Sequence, residues 1–482
     1  MQLPTNAFEQ RNTTNQITTT TNTGKGHAGH KICMLCINAC NHKPPFNGTP
    51  LSEKFPGAFV PTTACTLDSF QRHTDNSMRH LIQKLNAARA NIELTPEVFQ
   101  NIQNMYGFVW TPRSIVLHEH MRIDVVSAMM FDYAHTYFCD GLADDELGKV
   151  MKCVHKAKTK STWQELGRYV KAWTWPRRFG SGQTAIHNRL FNAKSIKKYL
   201  AAGDFSCSAS EFVTLAPVLL QYFKRVVAPR GECMEQVRSM IAVLEVVELL
   251  ASVPFYGVSP ALLKARIEGH FKLFVEAYGY DCVRPKHHYA LHLPEMLRIH
   301  GYLQSCIVHE RKHRVTKRFT RDRKNLTSWN IGSVEEVTCY ALYETSTPFA
   351  VTGSSRRCKP SIHALSVLRE LFSDADPASI FTSTESIASD GVVRQHDLVR
   401  YEKGPSSFGY GELMVNATVT NVEYAIVCEW DRDASSDPSI MNLVIDVDPA
   451  LTVIDAHTVL GACAFCRIDN RASVHLPLHV RE

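Results

Sequence analysis

A chain of 482 residues, 44% hydrophobic and 21% charged, is long enough for two or three domains with sizeable cores and has the balance of a soluble globular protein. Its formal net charge of +6 is too modest to name a partner by itself, so any nucleic-acid contact has to come from local clusters of cations. No run approaches the roughly 18 apolar residues of a membrane span, and fifteen cysteines without a signal peptide point to an intracellular, reducing setting, where close pairs favour metal over disulfides.

In chain order, residues 1–24 are polar and repetitive and read as a disordered tail. Residues 25–66 follow as a zinc-knuckle-like segment, KGHAGHKICMLCINACNHKPP, in which Cys33-x-x-Cys36 sets two thiolates on one side of a turn. The other half of a tetrahedral site has two sources: Cys40 and His42 close by, or the distant His288-x-x-x-His292, whose spacing puts both imidazoles on one helical face. Residues 46–63 are Pro- and Gly-rich loop.

A mainly helical region is expected over 67–345, starting at about Asp68, with Thr95-Pro96-Glu97 as a second helix start. Within it lie Asp124 and then Asp132-x-x-His135, which either share a metal or brace each other while satisfying buried backbone. Asp144, Asp145 and Glu146 read as helix N-terminal acids. Three segments between about 210 and 278 carry apolar residues at three- and four-residue intervals, the pattern of antiparallel bundle helices. Trp173 and Trp175 beside Arg177 and Arg178 are either a nucleic-acid clamp or a buried pair.

Residues 284–324 hold the densest chemistry. The paired histidines lead through a His-Gly break to Glu310, and eight of the fourteen residues from Arg311 to Lys324 are Lys or Arg. On a helix, Glu310, His313, Arg314, Lys317, Arg321 and Lys324 share one side, a ladder of cations suited to phosphates or an ordinary solvated face. Residues 346–390 read as linker around one short helix, and 391–482 as a small antiparallel β domain in barrel form. Cys463 and Cys466 are expected in one of its strands, with no shared metal. The fold class is therefore α+β, mainly α-helical with a small C-terminal β domain.

Four landmarks, KGHAGHKICMLC, FDYAHTYFCDG, HHYALHLPE and HERKHRVTKRFTRDRKN, stand in an order that resembles cut-and-paste DDE transposases of the CACTA (En/Spm) type. The resemblance implies an RNase H-like core in which three acids bind two divalent cations, magnesium or manganese. It further implies a helical insertion spanning 68–280 and an accessory terminal β module. By the same resemblance Cys33, Cys36, His288 and His292 bind structural zinc, Glu310 is the last acid of the triad, and Asp132 and His135 form the family's D-x-x-H element.

In that family the first two acids precede the CxxC pair. Here residues 1–24 contain no Asp, and their one acid is Glu9. Two-metal phosphoryl transfer needs several carboxylates converging on ions about 4 Å apart. The expectation is thus a transposon-derived, N-terminally truncated and catalytically inactive protein with Glu310 vestigial. It would be nuclear and would hold DNA through Lys312, Arg314, Lys317, Arg318, Arg321 and Lys324. The alternatives are a residual metal-dependent nuclease using Asp132, Glu310 and His309 or His313, and a protein-interaction module built on the β domain.

Overall fold

A computed structural model describes residues 31–43, 49–110, 124–138, 140–157, 162–177, 182–254, 257–306, 335–336, 338–339, 342, 353–354, 357–388, 391–405, 407–433, 440–446 and 450–475. The expected disordered tail, Glu310, His309, His313 and the whole cationic ladder lie outside them.

The chain is α+β, with helices first and antiparallel strands after them. The CxxC segment lies against a two-residue parallel pair, β1 (Ala39–Cys40) and β2 (Val60–Pro61). The first long helix, α1 (Asp75–Ala90), starts at Asp75 rather than at Asp68, because Thr74 and Ser77 form a reciprocal cap there. Next comes α2 (Pro96–Tyr106), which opens as expected with Thr95 accepting from the Val98 amide and Pro96 in the first turn. The helical body continues with α3 (Tyr133–Tyr137), α4 (Leu142–Lys156), α5 (Trp163–Ala172), α6 (Ala209–Tyr222), α7 (Met234–Ser252), α8 (Pro260–Tyr278) and α9 (Pro285–His300).

Helix α7 sits at the centre, packed on α4, α6 and α8; α9 packs between α8 and α3. Val237, Met240, Val243, Leu244 and Val247 of α7 are essentially inaccessible, and its polar Ser239 and Glu248 are buried with them. Pro294 leaves α9 unbroken, and the helix stops at Gly301, whose φ of 72° is the left-handed conformation that glycine accepts without a Cβ clash.

After the short helix α10 (Ile362–Leu371), the strands run β3 (Gly353–Ser354, just before α10), β4 (Ile380–Ser383), β5 (Glu385–Ala388), β6 (Gly391–Arg394), β7 (Leu398–Gly404), β8 (Ser407–Val419), β9 (Val422–Glu429), β10 (Asp431–Asp433), β11 (Ile440–Val444), β12 (Leu451–Asp455), β13 (Val459–Cys463), β14 (Phe465–Ile468) and β15 (Arg471–His475). Among the described residues they form three sheets rather than one barrel: β12-β9-β8-β7-β13 with β4 beside β8, β10-β11-β15-β14, and β3-β5-β6.

Two further expectations are corrected, and one alternative is decided. Residues 380–388, read as linker, are strands β4 and β5; Ile380 pairs with Val419 and is buried there, a partner that local sequence cannot reveal. Cys463 and Cys466 fall on β13 and β14, which belong to different sheets, because the chain switches sheets at Ala464. Trp173 and Trp175 are buried and unavailable for stacking on bases. The residue between them, Thr174, exchanges backbone hydrogen bonds of 2.7 and 3.0 Å with Phe465, so this stretch seats the strands on the helices. The seat is reinforced where His475, at the end of β15, enters the helical core against Gln221 and Glu248.

Candidate metal centre

The Cys33-x-x-Cys36 turn is fixed by its backbone. The Leu35 amide donates to Cys33 Sγ at 3.3 Å, the Ile37 amide donates to the Gln71 carbonyl at 2.8 Å, and the His73 amide donates to the Leu35 carbonyl at 2.9 Å. Residues 71–73 thus clamp the turn, with Cys36 and Arg72 facing each other across a bridge. Opposite stands α9, whose 3.6-residue period carries His288 and His292 one turn apart on one face. Tyr289 of the same helix donates its hydroxyl to the Ile32 carbonyl at 2.8 Å, joining the two pieces of chain.

The donor atoms converge. His292 Nε2 lies 3.4 Å from Cys33 Sγ, 3.5 Å from Cys36 Sγ and 3.2 Å from His288 Nε2. A tetrahedral metal with bonds of about 2.0–2.1 Å to nitrogen and about 2.3 Å to sulfur has ligand-to-ligand edges of about 3.3 Å between nitrogens and about 3.6 Å between nitrogen and sulfur. The donor spacing therefore fits a metal-sized tetrahedron, and the four residues form one buried cluster able to hold an ion. Phe70 packs edge-on against His288 and Phe131 lies tilted against His292, closing the centre to water. A closed, four-ligand arrangement is that of a structural site rather than of a catalytic one with an open position.

Electrostatics agree with the donor chemistry. Burial pushes His292 down to about 4, which keeps the imidazole neutral and its lone pair available. Within the thiol pair, a hydrogen bond from Cys33 holds Cys36 far below the ordinary thiol range, while burial pushes Cys33 up. One thiolate is thus favoured without any cation, and a dication supplies the reason for the second. Around the ligands, Arg72 contacts His292 Nδ1 and Glu295, and its guanidinium lies 3.7 Å from Cys36 Sγ.

Of the two sources considered for the second half of the site, the fold uses the distant one. His42 instead meets the Thr62 hydroxyl at 3.1 Å, and Cys40 is buried within β1, outside the cluster. Sequence reading did not single out Arg72 or Glu295. Glu295 carried a usable signal, lying three residues after His292 on the same helical face.

A second constellation forms around Asp132. Its carboxylate caps α3, accepting from the Ala134 amide at 2.8 Å, and its other oxygen accepts from His135 Nδ1 at 2.8 Å and from the Cys306 amide at 3.0 Å. Burial raises the Asp132 pKa, but the hydrogen bonds from His135 and Cys306 outweigh it and leave the carboxyl below its usual range. Bracing the backbone and offering metal donors use the same atoms of this pair. Cys306, missed by sequence reading, joins them, and donor atoms of all three residues lie within 4.8 Å of one another. Asp124 is not part of it, being ion-paired with Arg79 at the surface.

Other buried polar pairs were not legible. Glu146, read as a helix-terminal acid, is inaccessible and meets His270 Nε2 at 2.8 Å. Among the described residues, no helix is long and apolar enough to cross a membrane. No protein-family model, curated protein or solved structure matches this chain, so the site's geometry and the sequence motifs carry the functional reading.

Proposed function

We propose that this is a transposon-derived, DDE-transposase-like protein without catalytic activity, folded around a structural zinc ion and retaining DNA through its cationic run. The observation that carries the zinc part is the convergence of Cys33 and Cys36 with His288 and His292 across more than 250 residues, at edges that suit a tetrahedral ion. Two thiolates and two neutral imidazoles favour zinc over magnesium or calcium, which prefer oxygen. The DNA part is supported by the sequence alone, through Lys312, Arg314, Lys317, Arg318, Arg321 and Lys324. A nuclease running on magnesium or manganese is the weaker reading, because the described neighbours of Asp132 are an imidazole and a thiol rather than further carboxylates.

Native mass spectrometry of the zinc-loaded protein tests the centre. Cys33→Ser and His292→Ala should each remove one and the same ion, and a zinc count unchanged in His292→Ala would refute the long-range site. Retention on DNA, measured against salt, tests the partner. Charge reversal at Lys317 and Arg321 should abolish retention while leaving zinc content unchanged; undiminished retention would sink the DNA reading.

A further inference from the structure

Beyond the Cys/His centre, we propose that Asp132, His135 and Cys306 form a second, open transition-metal site. Three different donors, a carboxylate oxygen, an imidazole nitrogen and a thiol sulfur, come within 4.8 Å of one another from two chain segments more than 170 residues apart. Asp132 and Cys306 are buried, at 7% and 0% exposure, whereas the His135 side chain keeps 20% of its surface in water. Three protein ligands with one solvent-facing side is the arrangement that leaves a metal an open coordination position.

Hydrogen bonds from the backbone organise the scaffold. The Tyr133 amide donates to the Gln304 carbonyl at 3.1 Å, directly beside the bond from the Cys306 amide to Asp132. The Phe131 amide points to Met296 Sδ at 3.2 Å, which fixes the same segment to α9. The metal would take the place of the proton that His135 Nδ1 shares with Asp132 Oδ2, the imidazole keeping one proton on its other nitrogen, and of the Cys306 thiol proton, which passes to solvent. The carboxylate and thiolate then neutralise a dication, which a largely buried site requires. A mixed oxygen, nitrogen and sulfur set selects zinc, cobalt or iron over magnesium. Phe131 stacks on Tyr289 and also touches His292, so the two sites are neighbours that share packing but no ligand.

The test counts zinc by native mass spectrometry on the full chain, saturated with zinc and then freed of excess. Two ions per chain are expected, falling to one in Cys306→Ser and in His135→Gln, with the survivor lost in Cys33→Ser. His135→Gln alters a partly exposed side chain and gives the same readout if Cys306→Ser fails to fold. Cobalt(II) titration adds an independent signature: the weaker sulfur-to-metal absorption of one thiolate should vanish in Cys306→Ser, leaving that of two thiolates. Two zincs that persist in both variants overturn the second site. A single zinc lost in Cys33→Ser but kept in Cys306→Ser overturns it while leaving the first centre intact. The reverse pattern upholds this site and removes the other.

Discussion

Two regions bury imidazoles completely, and they do so in chemically different ways. At the Cys/His centre, His288 and His292 turn their Nε2 atoms towards each other at 3.2 Å and towards two sulfurs. About the α4–α8 contact, His270 instead turns Nε2 to the Glu146 carboxylate at 2.8 Å, while His287 stacks on Phe271. Converging lone-pair donors offer a place that a cation between them would satisfy, whereas a carboxylate satisfies an imidazole directly. What separates a metal centre from an ion pair is therefore the convergence of acceptors, since burial is equal in the two regions.

This contrast can be broken at either end. Denying the Cys/His centre the metal proposed for it should have the largest effect: a chelator, or Cys33→Ser, is expected to lower stability by roughly several kcal/mol, because binding to a site absent from the unfolded chain is folding energy. Thermal melts with and without chelator check it, and a melting temperature indifferent to chelation would dissociate the centre from the fold. Next in size, His270→Ala should cost about 3–5 kcal/mol by leaving the buried Glu146 without its partner. Chelation should not alter that cost, as denaturant unfolding would show.

A smaller and pH-dependent effect is expected at Asp144, near the same contact. Burial, only partly relieved by Lys286, pushes its carboxyl up to about 7. An unfolded Asp titrates near 3.9, so between roughly pH 4 and 7 the folded chain holds the extra proton and stability falls as pH rises. Asp144→Asn should thus leave stability unchanged near pH 4 and raise it by roughly a few kcal/mol at pH 8. Equal gains at both pH values would show that the charge is not the cause. The smallest effect belongs to the exposed pair of Lys43 and Asp281, where Lys43→Ala should shift unfolding by no more than about 0.5 kcal/mol.

Much of the local architecture was legible beforehand. Thr95-Pro96 marked a helix start, the three- and four-residue apolar period marked the bundle helices, and alternation after residue 391 marked the strands. The strands at 380–388 were not, because β4 is stabilised by its pairing with β8 rather than by its own pattern. Glu146 looked like a helix-terminal acid for a similar reason: its burial is set by α8, more than 120 residues away.

For the candidate site, sequence alone determined the donor types and their local faces. A CxxC turn offers two thiols on one side, and a spacing of four on a helix aligns two imidazoles. Only the tertiary structure decided that His288 and His292, and neither Cys40 nor His42, complete the set, and that Cys306 stands beside Asp132. Local steric rules act over a turn or two of chain. Which faces meet is fixed by the joint burial of helices that lie hundreds of residues apart.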